Sequence, residues 1–190
     1  ISTDDDKIIE YCKNFPIDYS IKRIKSLSNS KANKVDVIRD LLLKSEKFFN
    51  SKFDIIIDLD VTSPLRDIKD IKNALSKFIA KRSSVLLSCC NSRKNPYYNI
   101  VEMKNKQIKV AKNNLKKIIR RQDAPQTFDL NASIYIWRRN ILLKSNNLFH
   151  HDSSLYVMDQ KKSMDIDTHE DFDYVKWKIS QKKIYKFLPY

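Results

Sequence analysis

The sequence predicts an α/β fold in which helices flank a largely parallel β-sheet. Segments with helical periodicity alternate along the chain with short apolar segments typical of strands. Two of the apolar segments, 53–60 and 84–90, are nearly continuous rather than alternating, as in strands buried on both faces of a parallel sheet. Hydrophobic residues make up 42% of the 190 residues, the usual share for a globular chain with its own core. We therefore treat 1–190 as a single domain.

Helical periodicity marks four segments. In the last helix Phe172, Val175 and Ile179 are expected to face inward. In the second, the residues in helical register are Val35, Ile38, Leu41, Leu42 and Phe49. Asp67 with Asp70 three residues on is the signature of a capped helix start. The predicted helices are 4–14, 34–49, 67–81 and 168–181.

Strands are predicted where β-branched, aromatic or apolar residues cluster between turn signals. Residues 97–102 and 107–110 read as a hairpin that turns across 104–106, whereas the basic segment 112–121 has no assigned structure. The remaining predicted strands are 53–60, 84–90, 132–137, 155–158 and 164–166.

Basic residues outnumber acidic ones by 37 to 23, which gives a formal net charge of +14. A chain of this charge could bind nucleic acid, an anionic membrane or an acidic small molecule. The lysines are spread along the whole chain rather than grouped, so we favour a solvated basic surface over a nucleic-acid footprint. The same field would attract an anionic substrate.

Three features limit the class of protein further. The chain contains no glycine, so the glycine-rich loops that cradle phosphates in many nucleotide-binding proteins are absent from it. Its three cysteines, Cys12, Cys89 and Cys90, fit neither a disulfide framework nor a metal site and are expected as free thiols. With no apolar run near the roughly 20 residues that span a bilayer and no secretion signal, we expect a cytoplasmic protein.

Asp165 and Asp167 lie two residues apart in a predicted strand, so their side chains are expected on the same face. Together with phosphate oxygens and water they could hold Mg²⁺. Alternatively, Asp167 caps the last helix and Glu170 completes a capping box, which would leave Asp165 without an explanation.

Asp60 and Arg66 enclose a polar turn at the end of the predicted strand 53–60. Open α/β sheets place ligands at this position, and the planar guanidinium of Arg66 suits a carboxylate or a phosphate. A strand-capping carboxylate and a surface arginine are the plainer interpretation.

The adjacent Arg120 and Arg121 could clamp an anionic ligand, unless they belong to an exposed basic loop. Asn95 and Tyr97 form a turn after a strand, a pattern that packing alone also explains.

These motifs, in their order and approximate spacing, resemble the acylneuraminate cytidylyltransferases over nearly the whole chain. Asp58-Leu59-Asp60 is closer to the branch that acts on legionaminic-type sugars. The motifs are 2–5 (Ser-Thr-Asp-Asp), 36–38 (Asp-Val-Ile), 62–66 (Thr-Ser-Pro-Leu-Arg), 95–97 (Asn-Pro-Tyr), 120–123 (Arg-Arg-Gln-Asp), 130–135 (Leu-Asn-Ala-Ser-Ile-Tyr) and 165–168 (Asp-Ile-Asp-Thr).

The resemblance implies a Rossmann-like nucleotide-diphospho-sugar transferase fold with a mixed, mostly parallel sheet. It implies a homodimer, with 97–131 as a dimerisation and substrate arm, and an enzyme that couples CTP to a nonulosonic acid in the presence of Mg²⁺. By this resemblance Asp165 and Asp167 bind the metal and, with Arg121, form the catalytic group. Ser2 and Asp4 lie near the cytosine. The residues expected to bind the sugar acid or phosphates are Asp60, Arg66, Asn95, Tyr97, Arg120, Gln122 and Asn131.

The sequence departs from the family in two places. The strand and the Lys/Arg-rich loop that bind the triphosphate in relatives have no counterpart before Ser2, so we expect the chain to lack that segment. Ala132 follows Asn131 where relatives have glycine, and alanine resists a positive φ, so the backbone is expected to differ there.

Two alternatives to an active enzyme follow. The chain could be a non-catalytic member of the family that binds a sugar or pairs with an active subunit. It could also be a basic nucleic-acid-binding protein, which would bind with a steep dependence on salt.

Overall fold

The computed structural model describes residues 1–112, 118 and 120–181. The basic segment 112–121 lies mostly outside the described residues. The helices are α1 (Asp6–Cys12), α2 (Lys34–Phe49), α3 (Ile68–Ala80), α4 (Arg139–Lys144) and α5 (His169–Gln181). The strands are β1 (Ser2–Thr3), β2 (Ile21–Lys22), β3 (Ile55–Asp58), β4 (Val85–Asn91), β5 (Val101–Lys104), β6 (Gln107–Val110), β7 (Phe128–Arg138) and β8 (Ser154–Val157).

The strands form three sheets, and the predicted α/β class with mixed strand pairing is confirmed. Four strands pair in the order β3-β7-β4-β8. β1 and β2 pair in parallel, whereas β5 and β6 form the predicted antiparallel hairpin. Asn105 and Lys106 both have a positive φ, 53° and 62°, as a two-residue hairpin turn of matching twist requires.

The described chain divides into two compact units. The first comprises Ile1–Asp58, Phe78–Leu86 and Ile136–Ser154. The second comprises the described residues of Leu59–Lys77, Leu87–Tyr135 and 155–181. The prediction of one domain over 1–190, with an arm over 97–131, stays a prediction.

In the first unit α2 has the predicted bounds, and its side chains explain them. The side chain of Asn33 caps its start by accepting a hydrogen bond of 2.9 Å from the backbone N–H of Val35. Asn50 ends it in the left-handed conformation with φ 49°. Val35, Ile38 and Leu42 of the predicted register are buried, whereas Leu41 is half-buried and Phe49 is 42% exposed. A cavity of about 380 Å³ in this unit is lined mainly by apolar side chains of α2 and β3.

In the second unit the predicted capping box opens α3. The backbone N–H of Asp70 donates to Asp67 Oδ1 at 2.9 Å, and the backbone N–H of Asp67 donates to Asp70 Oδ2 at 3.1 Å. Asp70 is 6% exposed, so its carboxylate lies inside the protein and needs these partners.

Two predictions about the chain's last third are wrong. Residues 164–166 are not a strand, because they make a single strand-like backbone bond, from the N–H of Ile166 to the carbonyl of Thr62 at 2.9 Å. Phe172 does not face inward but is 51% exposed, since α5 buries only Val175. The short elements β1, β2 and α4 are absent from the sequence-based prediction.

The cysteines are free and buried, as predicted. Burial raises the pKa of the Cys89 thiol to about 11, so this group is a protonated, inert thiol near neutral pH. No helix in the described part of the chain is long and apolar enough to cross a bilayer.

Ala132 adopts a positive φ, although alanine is expected to resist one. Ala132 has φ 49°, the left-handed conformation that glycine adopts without steric cost. The long strand β7 and the buried side chains on either side, Asn131 and Ser133, hold the backbone in place despite the clash of the Cβ atom with the carbonyl oxygen.

Ala132→Gly should therefore raise the free energy of unfolding by about 1 kcal/mol and the Tm by about 3 °C, because glycine removes this clash. Thermal and urea unfolding measure the change. Ala74→Gly in the interior of α3 is the control and should lower stability by about 1 kcal/mol. A destabilising effect at position 132 would contradict the strained geometry.

Candidate functional site

The turn after β3 is stabilised by two of the predicted site residues. Asp60 Oδ1 accepts hydrogen bonds from the backbone N–H and the hydroxyl of Thr62, at 3.2 and 3.0 Å. The guanidinium of Arg66 is half-buried and donates to the carbonyls of Asp60 and Ser63 at 2.6 and 2.7 Å. Arg66 thus stabilises this turn from within and is not a surface arginine.

Ser63 connects this turn to two other predicted motifs. Its hydroxyl is fully buried and lies 2.7 Å from Asp165 Oδ1 and 3.2 Å from the carbonyl of Asn131. A hydroxyl has one proton to donate, so the shorter contact with the charged oxygen is the stronger bond. The bond from Ile166 to Thr62 runs alongside it. Three motifs far apart in sequence therefore meet at one buried hydroxyl group.

Asn131 lies beneath this junction and is 3% exposed. Its Oδ1 accepts from the hydroxyl of Ser88 at 2.6 Å and from the backbone N–H of Ser133 at 3.3 Å. Its Nδ2 donates to Ser163 Oγ at 2.9 Å and also approaches Met158 Sδ at 3.4 Å. Both ends of the amide are thus bonded to protein groups, which suits a residue that positions the segment 159–167.

Asp167 does not cap α5. Thr168 caps the helix instead, and Asp171 rather than Glu170 completes the capping box. The N–H of Asp171 donates to Thr168 Oγ1 at 3.2 Å. The N–H and the hydroxyl of Thr168 donate to Asp171 Oδ2 at 2.9 Å each. The hydrogen bond from Thr168 lowers the pKa of Asp171. The carboxylate of Asp167 is exposed and makes no hydrogen bond or ion pair with the described residues.

The donor chemistry of Asp165 and Asp167 fits Mg²⁺, which prefers carboxylate oxygens and commonly takes one or two of them together with substrate phosphates and water. The described residues contain no group of three or more His, Cys, Asp or Glu side chains placed to hold a metal. Any Mg²⁺ held by these two carboxylates would therefore need further ligands from phosphate and water.

A cavity of about 440 Å³ lies after the end of β4 in the second unit, a volume in the usual range for small-molecule sites. Arg121 borders it, and its Nη2 donates to the carbonyls of Arg93 and Ser92 at 2.9 and 3.4 Å. Asn95 is 7% exposed and fixes the opposite wall by donating from Nδ2 to the carbonyl of Pro125 at 2.9 Å. The cavity is lined by Asn91, Ser92, Asn95, Arg121, Gln122, Ala124, Pro125, Gln126 and Thr127.

Arg120 and Tyr97, from the same two predicted motifs, lie outside this lining. Arg120 forms a two-point contact with the carboxylate of Asp123 at 3.1 and 3.2 Å. The ring of Tyr97 is half-buried, with Lys112 Nζ 5.4 Å from its centroid. Asn95, Arg121 and Gln122 thus meet at one cavity, whereas Arg120 and Tyr97 are outside its lining.

Ser2 and Asp4 belong to the first unit. Ser2 accepts two hydrogen bonds from Arg23. Arg23 Nη2 donates to the Ser2 carbonyl at 2.6 Å, and Arg23 Nε donates to the Ser2 hydroxyl at 3.3 Å. Asp4 is exposed just before α1.

Sequence reasoning missed the serines and one lysine. Ser63, Ser88 and Ser163 form the hydrogen-bond chain below Asp165, yet serine is so common in turns that no pattern singles them out. Lys162, which forms ion pairs with Asp67 and Asp70 at the start of α3, is one of many lysines, and no pattern distinguishes it. The only available signal was the position of Ser63 inside the 62–66 motif.

Comparison with known proteins gives a consistent result. The family model described as "Cytidylyltransferase" matches residues 1–187. The flagellin modification protein B of Campylobacter coli is 35% identical over 184 residues, which are 97% of this chain and 77% of that protein. The CMP-N,N'-diacetyllegionaminic acid synthase of Campylobacter jejuni is 40% identical over the same shares of both proteins.

A solved structure supports the fold. The CMP:2-keto-3-deoxy-manno-octonic acid synthetase in complex with CTP matches with a TM-score of 0.62 over 95% of this chain and 79% of that chain. The two sequences are 14% identical, so this likeness concerns the fold, which is the predicted nucleotidyltransferase fold.

Proposed function

Because the chain belongs to the cytidylyltransferase family, we propose that it transfers the CMP part of CTP to a nonulosonic acid and releases pyrophosphate. The oxygen of the acid's anomeric hydroxyl attacks the α-phosphorus of CTP, and the bond from that phosphorus to the oxygen bridging to the β-phosphate breaks. Pyrophosphate leaves with that oxygen, and the hydroxyl proton passes to solvent. The relative named for legionaminic acid is 40% identical, which favours a legionaminic-type acid as substrate. The comparisons favour this enzyme over a non-catalytic member of the family.

The observation that carries the proposal is the junction at Ser63. It holds together the 62–66, 130–135 and 165–168 motifs through contacts of 2.7 Å to Asp165 and 3.2 Å to Asn131. A reaction that depends on in-line positioning of two substrates benefits from such a rigid support. The chain contains no glycine, so a substrate site in it must be built from side chains rather than from a glycine-rich loop, as this junction is.

We assign Asp165 and Asp167 to Mg²⁺. When bound, the ion offsets the negative charge of the phosphates. Ser63 orients the Asp165 carboxylate by its hydrogen bond, and the capping box of Thr168 and Asp171 fixes the backbone next to Asp167. The side chain of Asp167 is left available for a ligand because the helix start does not use it.

We assign the cavity beside Arg121 to the sugar acid. Arg121 uses one of its nitrogens, Nη2, to anchor the backbone at 92–93, and its other N–H groups have no partner within the described residues. They can bind a carboxylate at two points. Gln122 and Asn95 border the same space and offer amide groups to sugar hydroxyls. Ser2 and Asp4 remain assigned to the cytosine by resemblance alone.

Arg121→Ala should raise the KM for the sugar acid by about 10- to 100-fold, because a charged hydrogen-bonded contact contributes about 1.5–3 kcal/mol. Steady-state kinetics with the acid varied at saturating CTP measures this change. Arg93→Ala is the control, since it removes the same charge from the neighbouring exposed position but keeps the carbonyl that Arg121 contacts. Equal KM values for both variants would contradict the assignment.

We also propose a homodimer that forms through the hairpin of β5 and β6. Its register places Val101, Met103, Ile108 and Val110 on one face and charged or polar residues on the other. Val101, Met103 and Ile108 are 58%, 76% and 70% exposed in the single chain. An exposed apolar face on a two-stranded sheet is typical of a surface that another protein surface buries. A second copy supplies one through a two-fold axis that pairs the face with itself.

Met103→Glu should convert the dimer to monomers, because it places a charge in the centre of the apolar face. Light scattering after size-exclusion chromatography should give a mass that falls from two chains to one. Gln107→Glu adds the same charge to the opposite face and should leave the dimer intact. A wild-type protein that is monomeric at micromolar concentration would refute the dimer.

The direct test of the proposed activity is release of pyrophosphate from CTP. Release should require both Mg²⁺ and the nonulosonic acid and should be absent with CTP alone.

We place the protein in the cytoplasm, because its three free thiols suit a reducing compartment.

A further inference from the structure

A partly buried ion network lies next to the Ser63 junction, and the functional assignments above do not use it. Lys162 Nζ lies 2.6 Å from Asp67 Oδ2 and 2.9 Å from Asp70 Oδ2, the two residues of the capping box of α3. The hydroxyl of Tyr156 donates to the other oxygen of Asp70, at 3.3 Å. The Asp70 carboxylate is buried, so Lys162 neutralises a charge that would otherwise be costly.

The ionisation states of the network are fixed near neutral pH. The hydrogen bond from Lys162 lowers the pKa of Asp67 despite some burial. Burial by itself would lower the pKa of Lys162, but the bonds to both carboxylates outweigh it and raise the pKa above its usual range. The network therefore holds one cation and at least one anion at all physiological pH values.

Lys162 ends a short 3-10 helix, Gln160–Lys162, three residues before Asp165. The segment that follows has no regular backbone pairing to hold it. Its attachments on the near side are Lys162 to α3 and Ser163 to Asn131 at 2.9 Å. On the far side Thr168 begins α5. Within the stretch, the N–H of Ile166 donates to the carbonyl of Thr62 and the hydroxyl of Ser63 donates to Asp165. The two carboxylates assigned to Mg²⁺ thus lie in an irregular stretch that is attached at both ends and at these two bonds.

We propose that Lys162 is a positioning residue that sets the location of Asp165 and Asp167 by tying their segment to the start of α3. The inference rests on the proposed function of those two carboxylates. Side chains that orient metal ligands change metal affinity by about 10- to 100-fold when they are removed. Lys162 acts through the backbone of 163–167 and does not itself contact the ion or the substrates.

Lys162→Met should raise the Mg²⁺ concentration needed for half-maximal activity by about 10-fold, with kcat at saturating Mg²⁺ largely retained. Hydrogen–deuterium exchange of the segment 163–167, measured without metal or substrate, should be about 10-fold faster than in the wild type. Lys161→Met is the matched control, because it removes a lysine from the same 3-10 helix whose side chain is exposed. It should change neither quantity.

A second pair of variants keeps the test decisive if Lys162→Met folds poorly. Asp67→Asn cuts the 2.6 Å contact from the other side while asparagine still caps α3, and it should raise the Mg²⁺ requirement by about 3-fold. Lys162→Arg keeps the charge and should restore most of the wild-type value. Slower folding or lower stability in Lys162→Met with an unchanged Mg²⁺ requirement and unchanged exchange of 163–167 would overturn the proposal.

Failure of the inference can be told apart from failure of the proposed function. A wild-type protein without pyrophosphate release would refute the function, while the exchange measurement would still report whether Lys162 fixes the segment. Activity with identical Mg²⁺ dependence in all four variants would refute the inference alone.

Discussion

Asp167→Asn should lower the rate of CMP-sugar formation by about 10³-fold and leave stability nearly unchanged. The expected loss of about 4 kcal/mol in transition-state stabilisation follows from removing one of two metal-binding carboxylates. Stability should be insensitive because Asp167 is exposed, has no ion pair with the described residues and does not cap α5. Steady-state rates at saturating Mg²⁺ and urea unfolding of the same preparation test both parts.

Asp173→Asn is the control for this variant. Asp173 is an exposed aspartate on α5, so its substitution makes the same change in charge and shape nearby. Its activity should stay within about 2-fold of the wild type, as for a surface change far from any special feature. Equal activity of the Asp167 and Asp173 variants would show that Asp167 holds no metal.

Asn131→Ala should lower the free energy of unfolding by about 3 kcal/mol. The substitution leaves the buried hydroxyl proton of Ser88 without an acceptor, which costs about 1–3 kcal/mol, and it removes the hydrogen bond to the half-buried Ser163. It also leaves a small cavity at a site that is 3% exposed. Urea unfolding followed by fluorescence of the buried Trp137 measures the effect.

The exposed Asn140 on α4 provides the comparison for this prediction. Asn140→Ala should change stability by less than about 0.5 kcal/mol. If Asn131→Ala lost less than about 1 kcal/mol, the buried amide would not be the support that the geometry indicates. A large rise in the KM for the sugar acid without any loss of stability would instead favour direct contact with substrate, the role that the family resemblance implies.

Hydrophobic periodicity and capping residues predict the regular elements of this fold well. The bounds of α2 agree with the structure because its apolar face and its capping asparagines, Asn33 and Asn50, mark the same ends. α3 begins where its two capping aspartates indicate. In each case a local signal and the burial pattern point to the same residue.

Elements that depend on distant partners are harder to predict. β1 and β2 contain two residues each, which is too short for any periodicity to appear. Ala132 adopts a positive φ against its own preference because its neighbours in β7 are buried. Phe172 fits the helical pattern of α5, but only Val175 of that helix finds a cover in the described chain.

The candidate site shows the same division. Residue types led to the predictions for Asp165, Asp167, Arg121 and Asn95, because carboxylates, arginines and turn asparagines carry recognisable chemistry. The contacts of the Ser63 hydroxyl with Asp165 and Asn131 could be found only in three dimensions, since these partners lie 102 and 68 residues away in sequence.

The fate of the phosphorus atoms of CTP tests the central claim most directly. The protein is incubated with Mg²⁺ and N,N'-diacetyllegionaminic acid, and with CTP labelled at either the α- or the γ-phosphorus. Nucleotidyl transfer predicts that the α-label appears in a CMP-sugar and the γ-label in pyrophosphate. Label from the γ-position on the sugar acid, or no pyrophosphate with legionaminic, sialic or pseudaminic acid, would contradict the proposed reaction.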